Sequence, residues 1–178
     1  MNEAALGVES IKTQLNYIYN SYRTASLNKK YYGARLVSYQ RYNSAMELAI
    51  AIGATGSGGV AGLAIWGTIT GQYAWLWVSG IATVLGVVKP ILQIGTKIEN
   101  YTKLYSGHGN IYLELKSVVE DIDVSKSIPP KLAEQYVTIR KRITDLAGLD
   151  DPKPDKKLIE KFQADVNQEI LPEKLWVP

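Results

Sequence analysis

Cysteine is missing from the 178 residues, and histidine occurs once, as His108. Without thiols there is no disulfide and no thiolate nucleophile, and the redox compartment stays open. One histidine and carboxylates scattered over solvated helix faces do not assemble a metal site or a nucleophile with its base. The chain therefore reads as a non-enzyme with no catalytic, cofactor-binding or metal-ligating residues, and His108 reads as a packing residue, with a pH switch as its other reading because imidazole titrates near neutrality.

The more informative lack is of charge. Residues 48–88 contain no Asp, Glu, Lys, Arg or His, a run of 41 in a chain that is 21% charged. The hydrocarbon core of a bilayer is about 30 Å thick and a helix rises about 1.5 Å per residue, so one crossing takes roughly 20 residues. The run holds two, broken at residues 67–72, where glycines and hydroxyl residues cluster. Spans are expected over residues 45–66 and 73–94. Residues 1–47 carry six Lys/Arg, three Glu and no apolar core segment, so a signal peptide is not expected and the hairpin is internal.

Lys29, Lys30, Arg35 and Arg41 precede the first span, Lys89, Lys97 and Lys103 end or follow the second, and the connecting loop carries no charge. Cytoplasmic flanks retain Lys and Arg, so both termini are expected in the cytoplasm. Trp66, Tyr73, Trp75 and Trp77 flank the loop, where amphipathic rings favour the membrane boundary.

On either side the chain is helical by period. Val8, Ile11, Leu15, Ile18, Tyr22 and Ala25, then Tyr32, Leu36, Tyr39 and Met46, recur at three and four residues, interrupted at Lys29 and Asn43. This predicts two helical pieces joined near residues 26–30, the second entering the membrane. After the loop the same spacing runs without a miss through Val84, Val87, Ile91, Ile94, Ile98, Tyr101, Tyr105, His108, Tyr112, Leu115, Val119 and Ile122. It predicts one long helix with a supercoiled partner in this chain or a neighbouring subunit, weakest at Pro90 and at Gly107-His108-Gly109. Pro129-Pro130 opens a further helix ending near Gly148, residues 149–154 read as a linker, and Asp155 caps a short helix. The fold class is thus all-α: a two-helix transmembrane hairpin continuous with a cytoplasmic helical bundle or coiled coil. Its divisions are 1–44 for N-terminal helices, 45–95 for the hairpin, 96–148 for cytoplasmic helices and 149–178 for linker, short helix and tail.

Within the first span, Gly53-Ala54-Thr55-Gly56-Ser57-Gly58-Gly59 looks like a phosphate-cradling loop but lacks the Gly-Lys-Ser/Thr ending that holds phosphate and magnesium. Ala54, Gly58 and Gly62 instead form a small-residue ridge at four-residue steps, suited to close helix packing and to a homo-oligomer. Residues 53–62 hold five glycines and one large aliphatic, Val60, so insertion of this span leans on packing against neighbours. The second span has a corresponding face of Ser79, Thr83, Gly86 and Pro90. Small and hydroxyl residues of this kind glue helices, or, as Thr55, Ser57, Ser79, Thr83 and Gly86, border a polar path in an oligomer. Glu47 and Lys89 bracket the charge-free run at its two cytoplasmic ends, and in an antiparallel hairpin these ends meet.

The layout, with Tyr31-Tyr32-Gly33-Ala34-Arg35 before the first span and Tyr101-Thr102-Lys103-Leu104-Tyr105 on the long helix, resembles the SLATT proteins across residues 5–125. These are two-transmembrane effectors of bacterial nucleotide-second-messenger and antiphage conflict systems. The resemblance implies an oligomeric effector that permeabilises the membrane, held silent until a partner detects infection. Its relatives occur beside nucleotidyltransferases, nucleotide-binding sensors or reverse transcriptases, so the trigger is expected from a separate cytoplasmic molecule, and direct nucleic-acid binding is not expected. Two other readings fit a double span: a phage-type hole-forming lysis protein, which needs little cytosolic structure, and a membrane scaffold that conducts nothing.

Overall fold

The computed structural model describes residues 3–55 and 69–178, and its elements are all helical: α1 (Glu3–Thr55), α2 (Ile69–Ile91), α3 (Ile94–Ser125), α4 (Pro130–Ala147), α5 (Lys156–Glu169) and a 3-10 turn (Pro172–Lys174). The all-α class holds. The chain forms two compact units, Met1–Ala34 with Asn100–Pro178, and Arg35–Glu99.

The first unit is a bundle of α1, α3, α4 and α5 around one apolar core. Leu15, Ile18, Tyr22, Ala25 and Tyr32 of α1 are buried at steps of three and four, with a wider step across Lys29. On α3 the buried seam is Tyr101, Leu104, His108, Ile111, Leu115, Val118 and Ile122. Both rows repeat at seven residues, the period at which two helices keep a shared seam in contact. Tyr22 stacks on Tyr112 and Tyr32 on His108, so the helices run antiparallel. The expected partner of the long heptad stripe is therefore α1 of the same chain.

Three expectations are corrected here. First, α1 is unbroken across residues 26–30. That stretch has no glycine or proline, Ser26 is buried, and the interrupting lysines find partners: the Lys29 ammonium lies 4.8 Å from the centre of the Tyr112 ring and Lys30 pairs with Glu169 at 2.6 Å. Second, the alternate seam positions are Leu104, Ile111 and Val118, one residue before the expected Tyr105, Tyr112 and Val119. Tyr105 is exposed and Tyr112 flanks the core, while Val119 is still buried beside the seam. Third, the one long helix is two, broken at Leu92-Gln93 just past Pro90, one of its two expected weak points, while the glycines at the other stay helical. Pro90 has no N–H to give, Leu92 and Gln93 close a turn onto Val88 and Pro90, and Gln93 takes a positive φ of 49°. Gly107 stays helical and gives α4 room: a Cβ there would lie 2.7 Å from Leu146 Cδ1.

The C-terminal elements follow their local signals. Pro130 opens α4 behind Pro129, and the Asp155 carboxylate accepts the Leu158 N–H at the start of α5. Val166 and Ile170 are buried in the core, Leu175 and Trp176 pack against it, and Tyr19 donates its hydroxyl to the Trp176 carbonyl at 2.8 Å.

In the second unit, residues 35–55 of α1 and helix α2 run antiparallel. Gly53 meets Ala82, and Lys89 meets Glu47 six residues back along α1. A Cβ on Gly53 would fall 2.1 Å from that of Ala82, so glycine is what allows the helices this close. Helix α2 begins at Ile69, inside the expected loop. No single helix among the described residues is long and apolar enough to cross a membrane; Leu76–Ile91 and Ile94–Ser125, bent by 49°, pass on length and composition together. The charge-free part of α1 within the described residues is only 48–55, since the first expected span continues over residues 56–66.

Candidate functional site

Two places carry chemistry, one in each unit. In the hairpin, Gly58, Gly62 and Ser57 lie outside the described residues, and of Ala54 and Thr55 only the backbone, the last turn of α1, is described. The Ala54, Gly58, Gly62 ridge and the Thr55 and Ser57 part of the expected path thus lie outside the described side chains. Ser79, Thr83 and Gly86 do. A helix turns about 100° per residue, and α2 has three sides. Val78, Ala82, Leu85 and Lys89 make the more buried one, next to Gly53 and Glu47. Leu76, Trp77, Ile81, Val84, Val87 and Ile91 make a broad exposed apolar one. Ser79, Thr83, Gly86 and Pro90 form a separate stripe between them, exposed except for half-buried Ser79. The Thr83 hydroxyl donates to the Ser79 carbonyl at 2.9 Å, which satisfies it within its own helix. A Cβ on Gly80 or Gly86 would meet open space, so nothing in this chain requires a glycine at either position.

At the base of the hairpin Lys89 Nζ donates to Glu47 Oε1 at 2.7 Å, and Asn43 donates to the same oxygen at 3.0 Å. The Tyr39 ring nearby has Arg35 and Lys97 at 5.4 and 5.6 Å from its centre.

The second place, in the first unit, joins the heptad stripe to the segment expected as a linker. Tyr31 and Tyr32 follow one another on α1, and the Tyr32 ring lies on the His108 imidazole with centroids 5.3 Å apart and planes 11° from parallel. Their hydroxyls fasten the segment after α4. Tyr32 donates to Asp150 Oδ1 at 2.6 Å, while Tyr31 and Tyr101 donate to Asp151 Oδ2 at 3.1 and 2.8 Å. The Asp155 N–H closes the loop by donating to the Tyr31 hydroxyl at 3.1 Å. Burial, reinforced by the bond to Asp150, pushes the Tyr32 hydroxyl far above its ordinary value, so it stays a donor.

His108 is 3% exposed, and its Nε2 has no hydrogen-bond partner among the described residues, lying 4.0 Å from Asp150 Oδ1. Burial pulls its pKa below the ordinary 6.5, against the smaller opposing pull of Asp150. The imidazole is therefore neutral at pH 7, and its enclosed Nε2 is unsuited to proton transfer with a substrate. The doublets Tyr31-Tyr32 and Asp150-Asp151 were visible as sequence; that one doublet fastens the other across more than 110 residues was not.

Elsewhere in this unit a cleft of about 520 Å³ lies between α3 and α4. Its charges are mixed, and Arg142 grips Glu114 with both arms of its guanidinium, one bond at 2.8 Å. Among the described residues no three His, Cys, Asp or Glu side chains gather as they would around a metal ion. No protein-family model, curated protein or solved structure matches this chain.

Proposed function

We propose that this chain is an oligomeric protein of the bacterial cytoplasmic membrane that permeabilises it when a separate cytoplasmic molecule activates it, as its resemblance to the SLATT effectors implies. The observation that carries the reading is the outer face of α2, where Leu76, Trp77, Ile81, Val84, Val87 and Ile91 are between 56 and 72% exposed. Apolar area left in water costs about 25 cal/mol per Å², and monomers rarely leave so continuous a face uncovered. Lipid is the occupant that suits large aliphatic side chains. The stripe of Ser79, Thr83, Gly86 and Pro90 is the side left for other copies, where small residues let backbones approach and hydroxyls border a path. Two helices enclose no pore, so conduction needs several copies. The ordered four-helix unit, more structure than a lysis hole needs, favours an effector that receives a signal from a partner, such as a nucleotide-second-messenger or reverse-transcriptase system. Both termini then face the cytoplasm.

The test is depolarisation. Cells or vesicles carrying the wild type, with its activator present, should lose membrane potential, read by a potential-sensitive dye. The pair Ser79→Leu and Thr83→Leu raises hydropathy, so the protein stays inserted, yet should slow dye release at matched expression. A wild type that leaves the potential intact overturns permeabilisation and leaves a non-conducting scaffold. Equal release by both forms removes these two residues from the path.

A further inference from the structure

We infer that the base of the hairpin binds the headgroup of an anionic phospholipid, with Arg35 of α1 and Lys97 of α3 as the cations that meet its phosphate. This site rests on the membrane reading above, and gives the lipid a charge class and a place.

All charge in the second unit is gathered at one end of the hairpin. Residues 35–99 hold four basic side chains, Arg35, Arg41, Lys89 and Lys97, and two acidic ones, Glu47 and Glu99, with none between 47 and 89. Glu47 accepts from Lys89 at 2.7 Å and from Asn43 at 3.0 Å, a group without net charge. Tyr39 lies eight residues before Glu47, about 12 Å further down α1. Its ring gathers Arg35 and Lys97, at 5.4 and 5.6 Å from its centre. Lys97 is exposed, while Arg35 and Tyr39 are half-buried. Two like charges brought from different helices to one ring repel each other, and an anion shared by both reverses the sign. The Arg35 guanidinium has several N–H donors, so it can serve a phosphate and keep the other interactions that it and Tyr39 make within the chain.

The adjoining surface supplies the rest of the ligand. The exposed apolar row of α2 continues through Ile91 and Leu92, 71 and 41% exposed, and Lys97 stands on the first turn of α3 just beyond. Apolar, then neutral polar, then cationic is the order of acyl chain, ester layer and phosphate in a diacyl phospholipid. The long stems of Lys and Arg reach back along apolar surface to the headgroup layer. Free phosphate would use only the last of these three zones. A zwitterionic headgroup brings an ammonium of its own, which Arg35 and Lys97 repel.

The test uses the full chain in vesicles of equal parts phosphatidylglycerol and phosphatidylcholine, re-extracted in mild detergent, with retained lipid identified by native mass spectrometry. Resistance to alkaline carbonate reports insertion separately. Phosphatidylglycerol should be retained over phosphatidylcholine, and Lys97→Gln should lower that preference about fivefold, the worth of one basic side chain beside an anionic surface. Arg35→Gln with Lys97→Gln should remove it, and Lys97→Arg should keep it; if the double variant does not insert, the exposed Lys97 decides alone. Arg41 is exposed and stands about 200° round α1 from Tyr39, so Arg41→Gln should leave the preference unchanged. An equal fall with Arg41→Gln reduces the effect to diffuse charge and overturns the site. An inserted chain without preference also overturns it, leaving the base to an acidic protein segment while the membrane reading stands. Loss of the preference in millimolar inorganic phosphate at constant ionic strength assigns the cations to free phosphate and overturns the lipid. A wild type that carbonate strips from the vesicles overturns the membrane reading and the site together.

Discussion

Leu113 and Leu115 sit two residues apart on α3, yet one is 58% exposed and the other wholly buried. Leu115→Ala should cost about 2–5 kcal/mol through lost transfer energy and the cavity left behind. Leu113→Ala should change stability by less than about 0.5 kcal/mol. Chemical denaturation of the two variants reads the register of the seam directly. Tyr32→Phe keeps the ring on His108 and removes one donor from Asp150. Because that carboxylate side chain is 44% exposed, water replaces the donor in part, and a loss of about 0.5–1.5 kcal/mol is expected by the same measurement. The sequence marked these residues as apolar or aromatic, but burial at Leu115 and not Leu113 is decided by where α1 lies.

At the scale of elements, the hairpin depends on Gly53. Gly53→Leu drives a side chain into Ala82 and should part α1 from α2. The native chain has no cysteine, so Glu47→Cys with Lys89→Cys supplies a reporter where the native pair lies 2.7 Å apart. A short bis-maleimide, which spans the reach lost with the two long side chains, should join the two cysteines, and Gly53→Leu should abolish most of the joining. Undiminished joining would show that the helices do not need this close approach. Helix ends were legible wherever a local rule applied, as at Pro130, at Asp155 and just past Pro90. The unbroken course of α1 was not, because what carries the helix through Lys29 and Lys30 is supplied by Tyr112 and Glu169, far along the chain.

For the whole molecule, the proposed orientation makes a prediction independent of conduction. In intact spheroplasts a cysteine at Thr70 should react with an impermeant maleimide and one at Ser127 should not. The reverse pattern would place the first unit outside and remove the argument for a cytoplasmic activator. The unit boundaries at Ala34/Arg35 and Glu99/Asn100 cut through α1 and α3, so a helix period, continuous across them, gives no sign of where one unit ends. Residues 149–178, expected as linker, helix and tail, belong to the first unit because Asp150, Asp151, Val166 and Ile170 are tied into it.

By itself the sequence determined the all-helical class, the charge-free segment, the heptad period and the starts of the last two α-helices, one set by proline and one by an aspartate cap. Each of these rests on residues within a few turns of one another, where spacing, capping and proline act through the local backbone. Only the tertiary structure decided that the partner of the α3 stripe is α1, which of two adjacent rows is buried, and that two aspartates of a short connector hold three tyrosines. Those choices turn on which faces meet across more than 40 residues of chain. Many pairings satisfy the same period, and one is selected by the packing of the whole core.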